Sequence, residues 1–205
     1  MKLLYQTHSP YARKVLAFAY EAGLGKELEV VHHETSPTRR NDEVYALNPL
    51  GKVPVLIGKG KEAIFDSTVI CTYLDRFHSG PELIPRGEKE KIASLRLNAL
   101  ADGLSLAGIM IRWETERRPE HLRYPAYRDG QIGKLISGYD YIERHVSLEG
   151  DATIGEIALA TSLSWIEFRG LPSFRENRPK LTEWYGAYSQ RASMLATAPS
   201  GDTHD

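Results

Sequence analysis

The sequence is poor in the residues that carry redox and metal chemistry. Its 205 residues include one cysteine, Cys71, so an intrachain disulfide cannot form, which fits a reducing compartment. There is no Cys-x-x-Cys pair, no His-Glu-x-x-His segment and neither common glycine-rich phosphate-binding pattern. The seven histidines show no ligand spacing. We therefore expect no metal, no dithiol redox centre and no nucleotide.

Neither an excess of charge nor a long apolar run is present. The formal net charge is −1, and apolar and charged residues make up 41% and 26% of the chain. Without a large basic field, we expect neither nucleic acid nor an anionic membrane as a partner. No apolar run approaches the ~20 residues of a membrane span, and residues 1–5 are too short an apolar start for a signal peptide. We therefore predict a cytoplasmic protein.

The two parts of the chain differ in their periodicity. Up to residue 77, strand-like runs and helical segments alternate in the order strand, helix, strand, helix, strand, strand, helix. From residue 88 onward, nearly every segment has helical spacing. Residues 78–87 contain two prolines and two glycines, which is typical of a linker. We predict an α/β domain over 1–77, a linker over 78–87 and an all-helical domain over 88–205.

The predicted elements have definite limits. The strands are placed at 3–5, 28–32, 54–57 and 63–65, and the helices of the first domain begin near residues 9, 40 and 66. In the second domain, helices are predicted over 89–116, 127–146, 153–168 and 179–190.

A hydroxyl lies at the first strand-to-helix junction, where Ser9 precedes Pro10. Serine is a good N-cap and proline is favoured at the first helical position, so a plain cap is the commoner role for this pattern. A helix N-terminus also stabilises anions through its N–H groups and dipole. Ser9 can therefore also donate a hydrogen bond to a thiolate bound there.

A proline stands at the start of the third strand, although it cannot donate to a strand ladder. Only about 5% of X–Pro bonds in folded proteins are cis, so an ordinary trans proline on an edge strand is one interpretation. In the other, a cis Val53–Pro54 bond leaves the backbone of Val53 to pair with an extended peptide ligand.

An acidic residue and a hydroxyl, Asp66 and Ser67, stand where the fourth strand runs into a helix. Either residue can serve simply as an N-cap. Alternatively, the helix N–H groups and Ser67 can bind a ligand carboxylate while Asp66 pairs with a ligand ammonium. The second interpretation suits the α-amino-acid end of a ligand.

Taken together, these three features resemble the glutathione transferase superfamily in order and spacing. Residues 9–15 (Ser-Pro-Tyr-Ala-Arg-Lys-Val) resemble the Ser-Pro-Phe motif of its serine-type bacterial and plant members. Residues 48–56 (Asn-Pro-Leu-Gly-Lys-Val-Pro-Val-Leu) resemble its cis-proline segment, and residues 65–70 (Phe-Asp-Ser-Thr-Val-Ile) resemble its Glu/Asp-Ser pair. A capping box at 153–156 also matches, with Glu156 where the family usually has Asp.

The resemblance implies a thioredoxin-like first domain (βαβ-α-ββα), an all-α helical-bundle second domain and glutathione as co-substrate. It implies that Ser9 is catalytic because its hydroxyl donates to the glutathione sulfur. The glutathione-binding residues that it implies are Ser9, Lys52, Val53, Pro54, Asp66 and Ser67, with Arg39 or Arg40 as further basic candidates.

The expected reaction is attack of the glutathione thiolate on a small, largely apolar electrophile, as in detoxification. We expect the electrophile pocket between the domains, with Tyr11, Ile109, Met110 and Trp113 as candidate walls or, equally, plain core residues. Cys71 is predicted to be buried and inert. A glutathione-dependent disulfide or peroxide reductase and a non-catalytic glutathione-binding module are the alternatives.

The resemblance further implies a homodimer through the third and fourth helices. Asp102 would then reach toward the partner's glutathione, or serve only as a solvated or capping carboxylate.

Overall fold

A computed structural model describes residues 1–201, and a four-stranded mixed sheet forms the centre of its first part. Strand β1 (Lys2–Tyr5) pairs in parallel with β2 (Glu29–His32) and antiparallel with β3 (Val55–Ile57). Strand β4 (Ala63–Ile64) pairs antiparallel with β3, which gives the order β2-β1-β3-β4.

Three helices complete this part. They are α1 (Pro10–Glu21), α2 (Asp42–Leu47) and α3 (Ser67–Leu74). The observed order, βαβ-α-ββα, is the predicted one, and the thioredoxin-like fold class is confirmed. A single 3₁₀ turn at Gly25–Glu27 was not predicted, because three residues are too few to show a period.

The second part is helical. It contains α4 (Glu88–Arg112), α5 (Pro125–His145), α6 (Ile154–Phe168), α7 (Pro179–Tyr188) and α8 (Ala192–Ala196). The long helix predicted over 89–116 is α4 followed by one π-helical turn, Trp113–Arg117. Helix α8 was missed because five residues carry little periodic signal.

The capping box predicted at the start of α6 is confirmed, because the Thr153 hydroxyl and the Glu156 carboxylate both cap the helix. The domain limits 1–77 and 88–205 stay a prediction, and residues 202–205 lie outside the described residues. Within residues 1–201, none of the helices is both long and apolar enough to cross a membrane.

Buried apolar residues form two main clusters, and α6 contributes to both. The first cluster combines the sheet with α1 and α3, and it includes Ile154 and Ile157 from the start of α6. The second combines α4, α5, α6 and α7. This double packing explains why eleven of the fifteen residues of α6 are buried. Helix α6 thereby fixes the position of the helical part against the sheet.

Candidate active site

A cavity of about 620 Å³ lies between the sheet part and the helical part. It is lined by the β1–α1 junction, the loop after β2, the segment before β3, the start of α3, the second half of α4 with the turn that follows it, and the end of α6. All ten residues predicted for the two substrates line it: Ser9, Lys52, Val53, Pro54, Asp66, Ser67, Tyr11, Ile109, Met110 and Trp113. Their individual roles stay predictions.

The further basic candidates, Arg39 and Arg40, do not line this cavity. Arg39 pairs with Glu34 at 2.7 Å, and Arg40 pairs with Asp42 at 2.6 Å. Both arginine side chains are largely exposed, and the Arg40 guanidinium lies over the ring of Tyr45, 3.8 Å from its centroid.

Ser9 is the N-cap of α1, and its Oγ accepts a hydrogen bond from the Ala12 N–H at 3.2 Å. A hydroxyl has two acceptor lone pairs and one donor, so this contact leaves the proton of Ser9 available for donation into the cavity. The two roles considered from sequence, cap and donor, are therefore compatible in one side chain.

The residue before Ser9 is held in a left-handed backbone conformation by contacts from distant parts of the chain. His8 has φ of 70°, and its carbonyl accepts the indole N–H of Trp165 at 2.7 Å. Its ring stacks on Phe168 at 4.8 Å, and its Nε2 is 2.6 Å from the Ser200 carbonyl. Sequence reasoning missed His8 because these partners lie more than 150 residues away.

The segment before β3 is folded by its own polar side chains. Asn48 donates from Nδ2 to the Lys52 carbonyl at 2.9 Å and accepts at Oδ1 from the Leu50 N–H at 3.0 Å. Gly51 has φ of +60°, a conformation that glycine adopts without strain. The Val53–Pro54 bond is cis, the less common of the two geometries considered from the sequence.

Asp66 caps helix α3, and Ser67 is the first residue of that helix. Asp66 Oδ1 accepts from the N–H groups of Thr68 at 3.0 Å and Val69 at 3.3 Å. These two helix N–H groups are therefore occupied by Asp66, whereas sequence reasoning assigned such groups to a ligand carboxylate. Ser67, the first residue of α3, is buried and lines the cavity.

Asp102 lines the cavity of its own chain and is paired with a buried lysine. The Lys14 Nζ lies 2.9 and 2.8 Å from the two oxygens of Asp102 and 3.0 Å from Oδ1 of Asn98. Burial raises the pKa of the Asp102 carboxyl, while the Lys14 charge acts in the opposite direction. Sequence reasoning missed Lys14, although a lysine on the apolar face of α1 was a usable signal.

Tyr11 forms part of the wall next to Asp102. Its hydroxyl donates to the Asp102 backbone carbonyl at 3.2 Å. Burial raises the pKa of the Tyr11 phenol well above its ordinary value, and the charges of Asp102 and Asp66 raise it further. The phenol is therefore neutral at physiological pH.

The ends of α4 and α6 add arginine and tryptophan side chains to the predicted apolar wall. Arg112, Arg117 and Arg169 all line the cavity, together with Trp113 and Trp165. Sequence reasoning named Trp113 but missed Trp165 and the three arginines, because their place in this wall depends on how α4 and α6 pack.

Cys71 is fully buried, as predicted. Burial raises the pKa of its thiol to about 12, because a thiolate is poorly solvated in an apolar core. The Lys14 charge opposes this rise without cancelling it. Cys71 is therefore a neutral thiol at physiological pH and lies apart from the cavity lining.

Comparisons with known proteins agree with this geometry. Residues 8–76 match the family model of the glutathione S-transferase N-terminal domain. An uncharacterised glutathione transferase-like protein of Escherichia coli, YibF, is 29% identical, with 97% of this chain and 98% of that protein covered.

A glutathione transferase family member from Pseudomonas fluorescens, solved with bound glutathione, is 33% identical. It superimposes with a TM-score of 0.93 over 98% of this chain and 99% of that chain. A second structure from the same organism holds S-(propanoic acid)-glutathione and is 34% identical, with a TM-score of 0.89 over 98% of this chain and 100% of that chain. Since the likeness spans both parts at this identity, the chain belongs to the glutathione transferase superfamily.

Proposed function

We propose that this protein binds reduced glutathione in the cavity and transfers its sulfur to a small electrophile. The observation that carries the proposal is the convergence of Ser9, Val53–Pro54 and Asp66–Ser67 on one cavity. Two similar solved structures hold glutathione or an S-substituted glutathione, which supports binding of both the co-substrate and a conjugate.

Each end of glutathione has a matching group in the cavity lining. The γ-glutamyl ammonium pairs with the Asp66 carboxylate, and the γ-glutamyl carboxylate binds the hydroxyl and N–H of Ser67. The cysteinyl unit pairs with the backbone of Val53 as an added strand does. Lys52 meets the glycyl carboxylate, and this arrangement directs the sulfur toward Ser9.

Ser9 lowers the pKa of the bound thiol by donating its hydroxyl proton to the sulfur anion. The thiolate is the nucleophile, and a free thiol has a pKa above neutral pH. Lowering that pKa by about 2 units corresponds to about 2.7 kcal/mol. A hydrogen bond to a charged group, together with the dipole at the start of α1, supplies energy of this size. The thiolate then forms the S–C bond, and the leaving group departs with its electron pair.

Ultraviolet absorbance of the thiolate tests the proposal. Titrating the protein with glutathione at neutral pH should produce thiolate absorbance, and calorimetry should give the affinity in the same samples. Turnover of an aryl halide, compared with turnover of a small disulfide, then distinguishes a transferase from a reductase. Calorimetry that detects no heat at millimolar glutathione would exclude the glutathione site altogether.

The predicted homodimer belongs to the same proposal. Val69 on α3 and Ile92 on α4 are 51% and 59% exposed, so the two helices assigned to the interface carry apolar side chains on their surface. Light scattering should give twice the mass of one chain at micromolar concentration, and the mass of a single chain would remove the dimer. The cytoplasmic location stays a prediction from the sequence.

A further inference from the structure

His8 occupies a backbone position that glycine normally takes. The Ser9 N–H donates to the Gln6 carbonyl at 3.0 Å, so residues 6–9 form a hydrogen-bonded turn. His8 is the third residue of this turn and has φ of 70°. A positive φ at this position favours glycine or asparagine, because a larger side chain crowds the backbone there. The turn therefore depends on contacts that hold the histidine in this conformation.

The ring of His8 is held by two contacts. It stacks on Phe168 of α6, with the ring centroids 4.8 Å apart and the ring planes at 29°. Its Nε2 lies 2.6 Å from the Ser200 carbonyl. A carbonyl oxygen can only accept a hydrogen bond, so Nε2 carries a proton and is the donor. The main chain is fixed as well, because the Trp165 indole donates to the His8 carbonyl at 2.7 Å.

The segment that supplies the Ser200 carbonyl runs back along α1. Arg191 of this segment pairs with Glu21 at the end of α1, at 2.7 Å. The Met194 carbonyl then accepts a hydrogen bond at 3.2 Å from Arg13, which is buried in the first half of α1. The segment is thereby fastened along the helix, and this brings its Ser200 carbonyl to the turn before α1.

The turn at residues 6–9 leads directly into Ser9, the N-cap of α1. The strength of a hydrogen bond depends steeply on its length and angle. A donor stabilises a developing charge best when it is already aimed at the place where that charge forms. A change of the backbone at residue 8 would move the Ser9 Oγ relative to the cavity, so the contacts of His8 bear on how well Ser9 can donate.

Resting on the proposed activation of glutathione by Ser9, we infer that His8 is a positioning residue for thiolate formation. Its ring, held by Phe168 and by the Ser200 carbonyl, fixes the turn and thereby aims the Ser9 hydroxyl at the glutathione sulfur. His8 acts through Ser9 and takes no proton from the thiol.

The pKa of the bound glutathione thiol tests this inference. It is read from the thiolate absorbance as the pH is varied at saturating glutathione. His8→Gly removes the ring and keeps a residue that adopts a positive φ without strain. The pKa of the bound thiol should rise by about 1, which lowers the thiolate fraction and kcat at neutral pH by up to about 10-fold. The Kd for glutathione at neutral pH should change by less than about 3-fold.

A double variant shows whether His8 acts through Ser9. In Ser9→Ala, the hydroxyl that His8 positions is missing. Adding His8→Gly to Ser9→Ala should therefore change the pKa of the bound thiol by less than about 0.3, whereas two independent contributions would add.

Phe168→Leu removes the ring on which His8 stacks and leaves His8 in place. Phe168 is 37% exposed and does not line the cavity, so this variant serves if His8→Gly does not fold. The pKa of the bound thiol should rise in the same direction by a smaller amount, about 0.5. The control is Phe77→Leu, because Phe77 contacts the ring of Tyr73 and also lies outside the cavity lining. It should leave the pKa of the bound thiol unchanged.

The outcomes separate this inference from the proposed function. If Ser9→Ala raises the pKa of the bound thiol but His8→Gly leaves it at the parent value, the inference is wrong and the proposed function stands. Equal shifts by His8→Gly with and without the Ser9 hydroxyl would show that His8 acts independently of Ser9, and they would also overturn the inference. If glutathione bound to the parent keeps the thiol pKa of free glutathione, the proposed activation fails and the inference fails with it.

Discussion

The side of the cavity proposed for glutathione and the side proposed for the electrophile differ in how the chain builds them. The glutathione side comes from three short segments, at residues 9, 48–54 and 66–67, and each carries its own capping or turn interactions. The side proposed for the electrophile joins the ends of α4 and α6, which lie 56 residues apart, at Arg112 and Phe168, and meet only after the helices pack. Local interactions therefore shape the side proposed for glutathione, whereas tertiary packing shapes the side proposed for the electrophile.

The largest expected effect concerns Lys14, which joins the two sides. Lys14→Met leaves the partly buried Asp102 carboxylate without its cation, and we expect the free energy of unfolding to fall by about 3 kcal/mol. This is the lower end of the range for a broken buried pair, because the Asp102 side chain is 27% exposed. Urea denaturation at neutral pH measures the change.

Two further variants serve as controls for the stability loss expected in Lys14→Met. Lys91→Met removes an exposed lysine of α4 and should change stability by less than about 0.5 kcal/mol. The double variant Lys14→Met/Asp102→Leu should recover much of the lost stability, because both charges are gone. A loss below about 1 kcal/mol in Lys14→Met alone would mean that this ion pair does not hold the two sides together.

The next effect separates the two roles of Ser9. Ser9→Ala and Ser9→Gly both remove the hydroxyl, so kcat/KM should fall about 10- to 100-fold in each, with glutathione affinity changed by less than about 3-fold. Only Ser9→Ala should lose about 1 kcal/mol of stability, since glycine is nearly as good an N-cap as serine. Steady-state kinetics and thermal unfolding measure the two effects.

Retained activity in both Ser9 variants, with thiolate absorbance intact, would assign thiol activation to another donor. Ser9→Thr is the matched control, because it keeps the hydroxyl and should keep most of the activity. If activity falls only in the variant that also loses stability, Ser9 acts as a helix cap and not as a donor to the sulfur.

A smaller effect is expected at the γ-glutamyl end. Asp66→Asn keeps an oxygen that can cap α3, because asparagine is as good an N-cap as aspartate. It removes the charge that pairs with the ligand ammonium, so the glutathione Kd should rise about 10-fold. Isothermal calorimetry gives the Kd, and Asp42→Asn at the start of α2 is the control. If the parent and Asp66→Asn bind glutathione with equal affinity, the γ-glutamyl ammonium does not pair with Asp66.

The smallest effect concerns the contact between α1 and the segment leading into α8. Burial favours the neutral form of Glu21, but hydrogen bonds from Arg191 and Ser193 outweigh it and lower the pKa of the carboxyl. A carboxyl with a lowered folded-state pKa stabilises the fold above its ordinary pKa, and this stability is lost as pH falls through the folded pKa. Glu21→Gln should therefore cost about 1 kcal/mol or less at pH 7, because the Arg191 partner is 43% exposed.

Denaturation curves at several pH values check this sign. The difference between Glu21→Gln and the parent should be present at neutral pH and should fade in acid below the ordinary glutamate pKa. A difference that grows as pH falls would contradict the lowered pKa.

Features that depend on interactions between neighbouring residues could be predicted from the sequence, whereas features that depend on distant residues could not. The starts of α1 and α3 were visible because Ser9 and Asp66 cap the helices that follow within three residues. The meeting of Ser9, Pro54 and Ser67 at one cavity required the family resemblance, since no spacing rule brings three loops together. The sequence did not indicate that Arg112, Arg117 and Arg169 line the same cavity, because they come together only through the packing of α4 on α6.

The indole hydrogen bond from Trp165 to the His8 carbonyl restricts which cavity residues can be substituted without affecting Ser9. One side chain of α6, Trp165, lines the cavity and also supports the backbone that leads into Ser9. A substitution at Trp165 that reshapes the cavity therefore also removes a support of the backbone directly before Ser9. The His8 contacts described above come from α6 and Ser200, so changes around the Trp113–Arg117 turn are the less constrained route to altered selectivity.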